Sequence, residues 1–79
     1  MSKAIFTLDK LKPGESGCIV SFNDEENALK FMEMGCTPGE IVLMDSYAPL
    51  GDPLAIIVSG YKLSLRRSEA MYINIEKFK

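Results

Sequence analysis

Asp45-Ser46-Tyr47-Ala48-Pro49-Leu50-Gly51-Asp52-Pro53-Leu54 decides how this chain folds, because it joins two apolar runs, Ile41–Met44 and Leu54–Val58, through a tip unsuited to a helix or a central strand. Pro49 and Pro53 have no N–H to donate to a ladder, and Gly51 can take a positive φ. The pattern reads as a long β-hairpin with a protruding loop. A third run, Tyr61-Lys62-Leu63-Ser64-Leu65, follows Ser59-Gly60 and alternates strictly, so three consecutive antiparallel strands form a meander.

The remaining segments pack on that meander. Thr7-Leu8-Asp9-Lys10-Leu11 reads as one helical turn capped by Thr7, with Leu8 and Leu11 on one side. Lys12-Pro13-Gly14-Glu15 is a turn launching the first strand, Glu15–Phe22, in which Cys18, Val20 and Phe22 should face the core and Ile19 be partly covered. Asp24 caps a helix that runs through Met34 and stops at Gly35, its buried face being Ala28, Phe31, Met32 and Gly35, with Leu29 and Met34 beside it. Thr37-Pro38-Gly39-Glu40 repeats the Pro-Gly turn before the strand Glu40–Tyr47. Ser68 caps a last helical turn before a closing strand, Tyr72–Ile75, and Lys77, Phe78 and Lys79 read as a frayed tail. The expected fold is mainly β: a small, partly open SH3-like antiparallel barrel of about five strands with one inserted α-helix and short helical turns. A chain of 79 residues is read as one domain, 1–79, too small for a large internal active site.

Composition excludes several function classes. Hydrophobic residues at 47% and charged residues at 25% are globular values, and the net charge of −2 gives no bulk attraction to nucleic acid or anionic lipid. Residues 1–6 hold no apolar run of signal-peptide length, and no stretch approaches the roughly 20 residues of a membrane span. A cytoplasmic protein with no membrane insertion and no nucleic-acid partner is expected. Cys18 and Cys36 lack metal or redox spacing and read as small hydrophobes rather than a disulfide. The acidic run Asp24-Glu25-Glu26 reads as a helix start and not a metal site. With no histidine, no phosphate loop and no activated nucleophile, no enzyme activity, catalytic residue or bound metal is expected.

Four blocks carry a family resemblance. Leu8-x-x-Leu11-x-Pro13-Gly14-Glu15-x-Gly17, Phe31-Met32-Glu33-Met34-Gly35-Cys36-Thr37-Pro38-Gly39-Glu40, Ala48-Pro49-Leu50-Gly51-Asp52-Pro53-Leu54 and Leu63-Ser64-Leu65-Arg66-Arg67-Ser68-Glu69-Ala70 resemble, in order, those of FeoA, the small cytosolic component of bacterial ferrous-iron uptake. Cys36 departs from the pattern, where an aliphatic residue is more usual. The resemblance implies an SH3-like domain that binds the cytosolic GTPase part of the FeoB membrane permease and modulates Fe(II) transport, with Fe(II) a matter of family context and no cofactor held. It also implies an alternative: a free-standing iron-linked regulatory module, because the same domain occurs at the C-terminus of iron-dependent repressors.

An interaction patch is the expected site. Leu50 sits between two prolines at a loop tip, so it either contacts a partner or folds back as a lid on its own core. Pro49, Leu50, Gly51 and Asp52, with Leu29 or Met34 nearby, are the candidate docking residues for the permease or for a second copy of this chain. Arg66 and Arg67 are the adjacent arginines that either act in trans on a partner's GTP hydrolysis or pair locally with Glu69 and flank the final turn.

Overall fold

The computed structural model describes residues 5–78. Met1–Ala4 and Lys79, part of the expected leaderless start and frayed end, lie outside them. The elements are β1 (Ile5–Thr7), a 3-10 turn (Leu8–Lys10), β2 (Ser16–Phe22), α1 (Glu25–Glu33), β3 (Ile41–Tyr47), β4 (Leu54–Val58), β5 (Tyr61–Leu65), α2 (Arg67–Ala70) and β6 (Ile73–Lys77). All six strands form one antiparallel sheet in the order β1-β6-β2-β3-β4-β5. The β3–β4–β5 meander is the one expected from the proline-bracketed tip.

Two bulges bend this sheet. Between Ile19 and Ser21 in β2, and between Met44 and Ser46 in β3, the pairing register slips by one residue, leaving Val20 and Asp45 as extra residues. Each bulge follows a contact from a Pro-Gly turn: Gly14 N–H donates to Met44 O at 2.8 Å, and Gly39 N–H donates to Ile19 O at 2.8 Å. An extra residue increases local twist and swaps the face of everything beyond it. The swap corrects the expected facing of β2. Ile19 is fully buried and Cys18 and Val20 are only half-buried, yet Phe22, beyond the bulge, packs against the core. In β3 the same swap lets Val42, Met44 and Tyr47 all pack on the core, although their numbers do not share one parity.

The core is Leu8, Leu11, Ile19, Phe31, Cys36, Val42, Met44, Leu54, Ile56, Val58, Leu65, Ala70, Ile73 and Ile75. On α1, only Phe31 is fully buried; it stacks on Phe22 with ring centroids 5.8 Å apart, while Met32 is exposed and Met34 is half-buried against the core. Asp24 caps α1 through the Glu26 N–H at 3.0 Å, and Gly35 ends it at φ +102°.

The chain ends differ from expectation. β1, three residues long and too short to show a period, pairs with β6 as a sixth strand. Lys77 belongs to β6, and Phe78 N–H donates to Ser16 O at 2.9 Å, so the sheet continues where fraying was expected. Thr7 makes no capping bond to the 3-10 turn; its hydroxyl donates to the Asp9 carboxylate instead. The cap position of α2 is Arg66, not Ser68, and Glu69 Oε1 reaches back to accept the Arg66 N–H at 2.9 Å.

Gly17 is the position where packing demands glycine. A Cβ there would lie 2.7 Å from Glu76 O on the neighbouring strand, closer than two non-bonded atoms can sit, so Gly17→Ala forces β2 and β6 apart. The expected loss is about 1–3 kcal/mol, measured by urea denaturation with the m-value unchanged.

Candidate functional site

The loop between β3 and β4 is built by an arginine from elsewhere in the chain. Ala48 N–H donates to Pro53 O at 3.0 Å and Gly51 N–H to Ala48 O at 2.7 Å, which closes the tip; Gly51 has φ +89°. Arg67 then holds it. Its Nε and Nη2 donate to Gly51 O at 3.1 and 2.9 Å, and its Nη1 donates to Asp9 O at 3.1 Å. Its guanidinium carbon lies 4.9 Å from the centroid of the Tyr47 ring, a cation–π distance. Asp52 Oδ1 accepts the Arg67 backbone N–H at 2.9 Å, satisfying a donor of the first turn of α2. The Tyr47 hydroxyl donates to Leu11 O, so the loop base is tied to the segment after the 3-10 turn as well.

The consequence lies at the tip. Leu50 is 97% exposed while the carbonyl next to it is held from behind. Of the two readings left open for Leu50, the folded-back lid is not the one observed. Pro49 and Asp52 are exposed, Gly51 is half-buried, and Asp52, Pro53 and Arg66 line an open depression. Arg66 is exposed, and among the described residues its side chain makes no hydrogen bond or ion pair, whereas Arg67 is engaged within the domain. Arg67 is thus engaged with Gly51 and Asp9, while Arg66 meets Glu69 through its backbone N–H and its charge and caps α2.

The helix residues sit apart from this network. Leu29 is 63% exposed on α1, and Met34 is turned toward the core. α1 is linked to α2 by Lys30, whose Nζ is 2.7 Å from Glu69 Oε2. Asp9 and Tyr47, which help hold Arg67, were not foreseen. An aromatic just before the loop was the available signal for Tyr47; Asp9 contributes a backbone oxygen, which leaves none.

The electrostatics are those of surface pairs. Lys30 and the Arg66 N–H hold the Glu69 carboxyl below its ordinary range, Lys77 does the same for Glu15, and Lys62 for Asp45. Burial pushes the Cys36 thiol up to about 11, which keeps it a neutral core group. Cys18 is half-buried, its thiol directed at Ile19 O. Among the described residues, no three His, Cys, Asp or Glu side chains come together as metal ligands, and no helix is long and apolar enough to cross a membrane.

This arrangement can be set against known proteins. The model of the FeoA domain matches residues 6–77. This chain belongs to the FeoA family. Its fold superposes on the FeoA-like protein from Clostridium acetobutylicum with a TM-score of 0.90 at 32% identity, covering 100% of this chain and 92% of that one. It superposes on Stenotrophomonas maltophilia FeoA, a prokaryotic SH3 domain protein solved in complex with zinc, with a TM-score of 0.79 at 30% identity, covering 90% of this chain and 89% of that one. T. acidophilum IdeR shares the fold alone, with a TM-score of 0.81 at 18% identity over 99% of this chain and 36% of that one. No curated protein sequence matches at a significant level. The fold is thus the SH3-like one of the FeoA proteins.

Two outcomes test this site. Arg67→Lys removes the planar fork that reaches Gly51 and Asp9 together; it should cost about 1–3 kcal/mol and raise the fast backbone mobility of Leu50 and Gly51, read from 15N relaxation. Because the folded pKa of Glu69 is lowered, the stability it contributes is present above its unfolded value and is lost as pH falls through the folded one. Melting temperature should therefore fall on acidification below about pH 4.5, and Glu69→Gln should flatten that fall by an amount worth less than about 1 kcal/mol, because the Lys30 end of the pair is more than half exposed.

Proposed function

We propose that this FeoA-family chain is a cytoplasmic accessory protein of ferrous-iron uptake that binds the cytosolic GTPase part of a FeoB-type permease and modulates Fe(II) transport. The observation that carries the reading is Leu50, an apolar side chain 97% exposed on a loop that Arg67 holds in place. A scattered exposed leucine is ordinary; one presented on a braced tip enters a partner's pocket without first losing loop entropy. Pro49, Gly51 and Asp52 frame the contact, Arg66 is an exposed cation beside it, and Leu29 is a separate exposed apolar group on α1. Met34 supports α1 from below. Arg66 rather than Arg67 is the arginine able to reach a partner.

The test is a titration of 15N-labelled protein with the soluble GTP-binding domain of the permease encoded in the same genome. Resonances of Leu50, Gly51 and Arg66 should shift. Leu50→Ser should weaken binding about tenfold or more, the equivalent of losing a buried leucine, with melting temperature retained. Binding that leaves every loop resonance unmoved would defeat the proposal.

A further inference from the structure

A cleft of about 310 Å³ lies between Phe6, Lys10, Leu11 and Lys77, where β1 and the end of β6 meet the 3-10 turn. It holds roughly ten water volumes. Leu11, 1% exposed, lies at its base, Phe6 is 40% exposed at its side, and two lysines stand at its edge. Lys77 is paired with Glu15 at 2.7 Å, whereas Lys10 has no ion pair among the described residues. The same chain presents Leu50 and, two residues on, the exposed carboxylate of Asp52. We infer that Leu50 of one copy seats in the Phe6–Leu11 cleft of a second copy, with Asp52 set toward Lys10, so that the protein self-associates head to tail.

Within one copy the contact is closed off, since Arg67 holds Gly51 O and leaves Leu50 standing clear of its own surface. Between copies the apolar knob meets an apolar hollow, and an acidic flank meets a basic edge. Arg66 shares the tip with Asp52, so the charge match is partial and burial of the leucine supplies most of the contact. Knob and hollow are different surfaces, so the contact is heterologous: each addition leaves one free knob and one free hollow, and assembly does not stop at a dimer unless a ring closes. The inference is independent of the permease and shares only Leu50 and Asp52 with that reading; the Phe6–Leu11 cleft and Lys10 belong to it alone.

Sedimentation velocity of the full chain tests it, over protein concentrations from about 10 μM to about 1 mM, the range in which a single-anchor contact is populated. The average mass of the wild type should rise past that of a dimer. Leu50→Ser, with its cleft intact, and Phe6→Glu, with its tip intact, should each weaken association about tenfold or more. An equimolar mixture of the two should form a one-to-one dimer and go no further. Phe6→Ser, which removes the ring from the half-exposed wall of the hollow without adding a charge, replaces Phe6→Glu should that variant fail to fold. A wild type that stays monomeric throughout, Leu50→Ser associating like the wild type, or folded variants that stay monomeric when mixed would each overturn the inference.

Discussion

The guanidinium of Arg67 is the contact on which the surface of this protein depends. It bonds Gly51 O with two donors and Asp9 O with a third while lying over the Tyr47 ring. Three segments distant in sequence, the 3-10 turn, the β3–β4 loop and α2, thereby meet on one planar group. A lysine has the charge but not the fork, and cannot direct donors to two separate carbonyls in a fixed plane. Bonds from a charged donor to half-buried carbonyls are among the stronger ones available to a small domain, and they complement the Asp52 carboxylate at the start of α2.

How much of this was legible depended on how local the cause was. The proline-bracketed tip, the Pro-Gly turns and the Asp24 cap are written in adjacent residues, and the meander, the turns and α1 were read from them. Ile19 was misread because parity along β2 was counted through Val20, and a bulge reverses parity at that point. The bulge sits beside the contact of Gly39 N–H with Ile19 O, a long-range contact with no signature in β2 itself. β1 was missed because three residues carry no period, and Lys77 and Phe78 were read as fraying because their partners, Glu15 just before β2 and Ser16 at its start, are distant in sequence.

The candidate site shows the same division. The protruding loop was foreseen, since two prolines and a glycine make a poor core segment; whether Leu50 stands clear or folds back was left open. The division of labour between the arginines was not foreseen: two identical side chains in sequence point in different directions at the strand-to-helix junction, where β5 gives way to α2. Arg67, in the first helical position, faces back to the loop, and Arg66, the cap residue, stays in solvent. Only the backbone direction at that junction distinguishes them.

The 3-10 turn joins the two surfaces that matter. Asp9 O takes one donor of the clamp, Leu11 O takes the Tyr47 hydroxyl from the loop base, and Lys10 and Leu11 line the cleft beside Phe6. A shift of this turn is therefore felt at both the tip and the hollow. Its own position is held by the burial of Leu8 and Leu11 in the core, so the rigidity of both surfaces rests on the packing of those leucines and only indirectly on any residue that a partner touches.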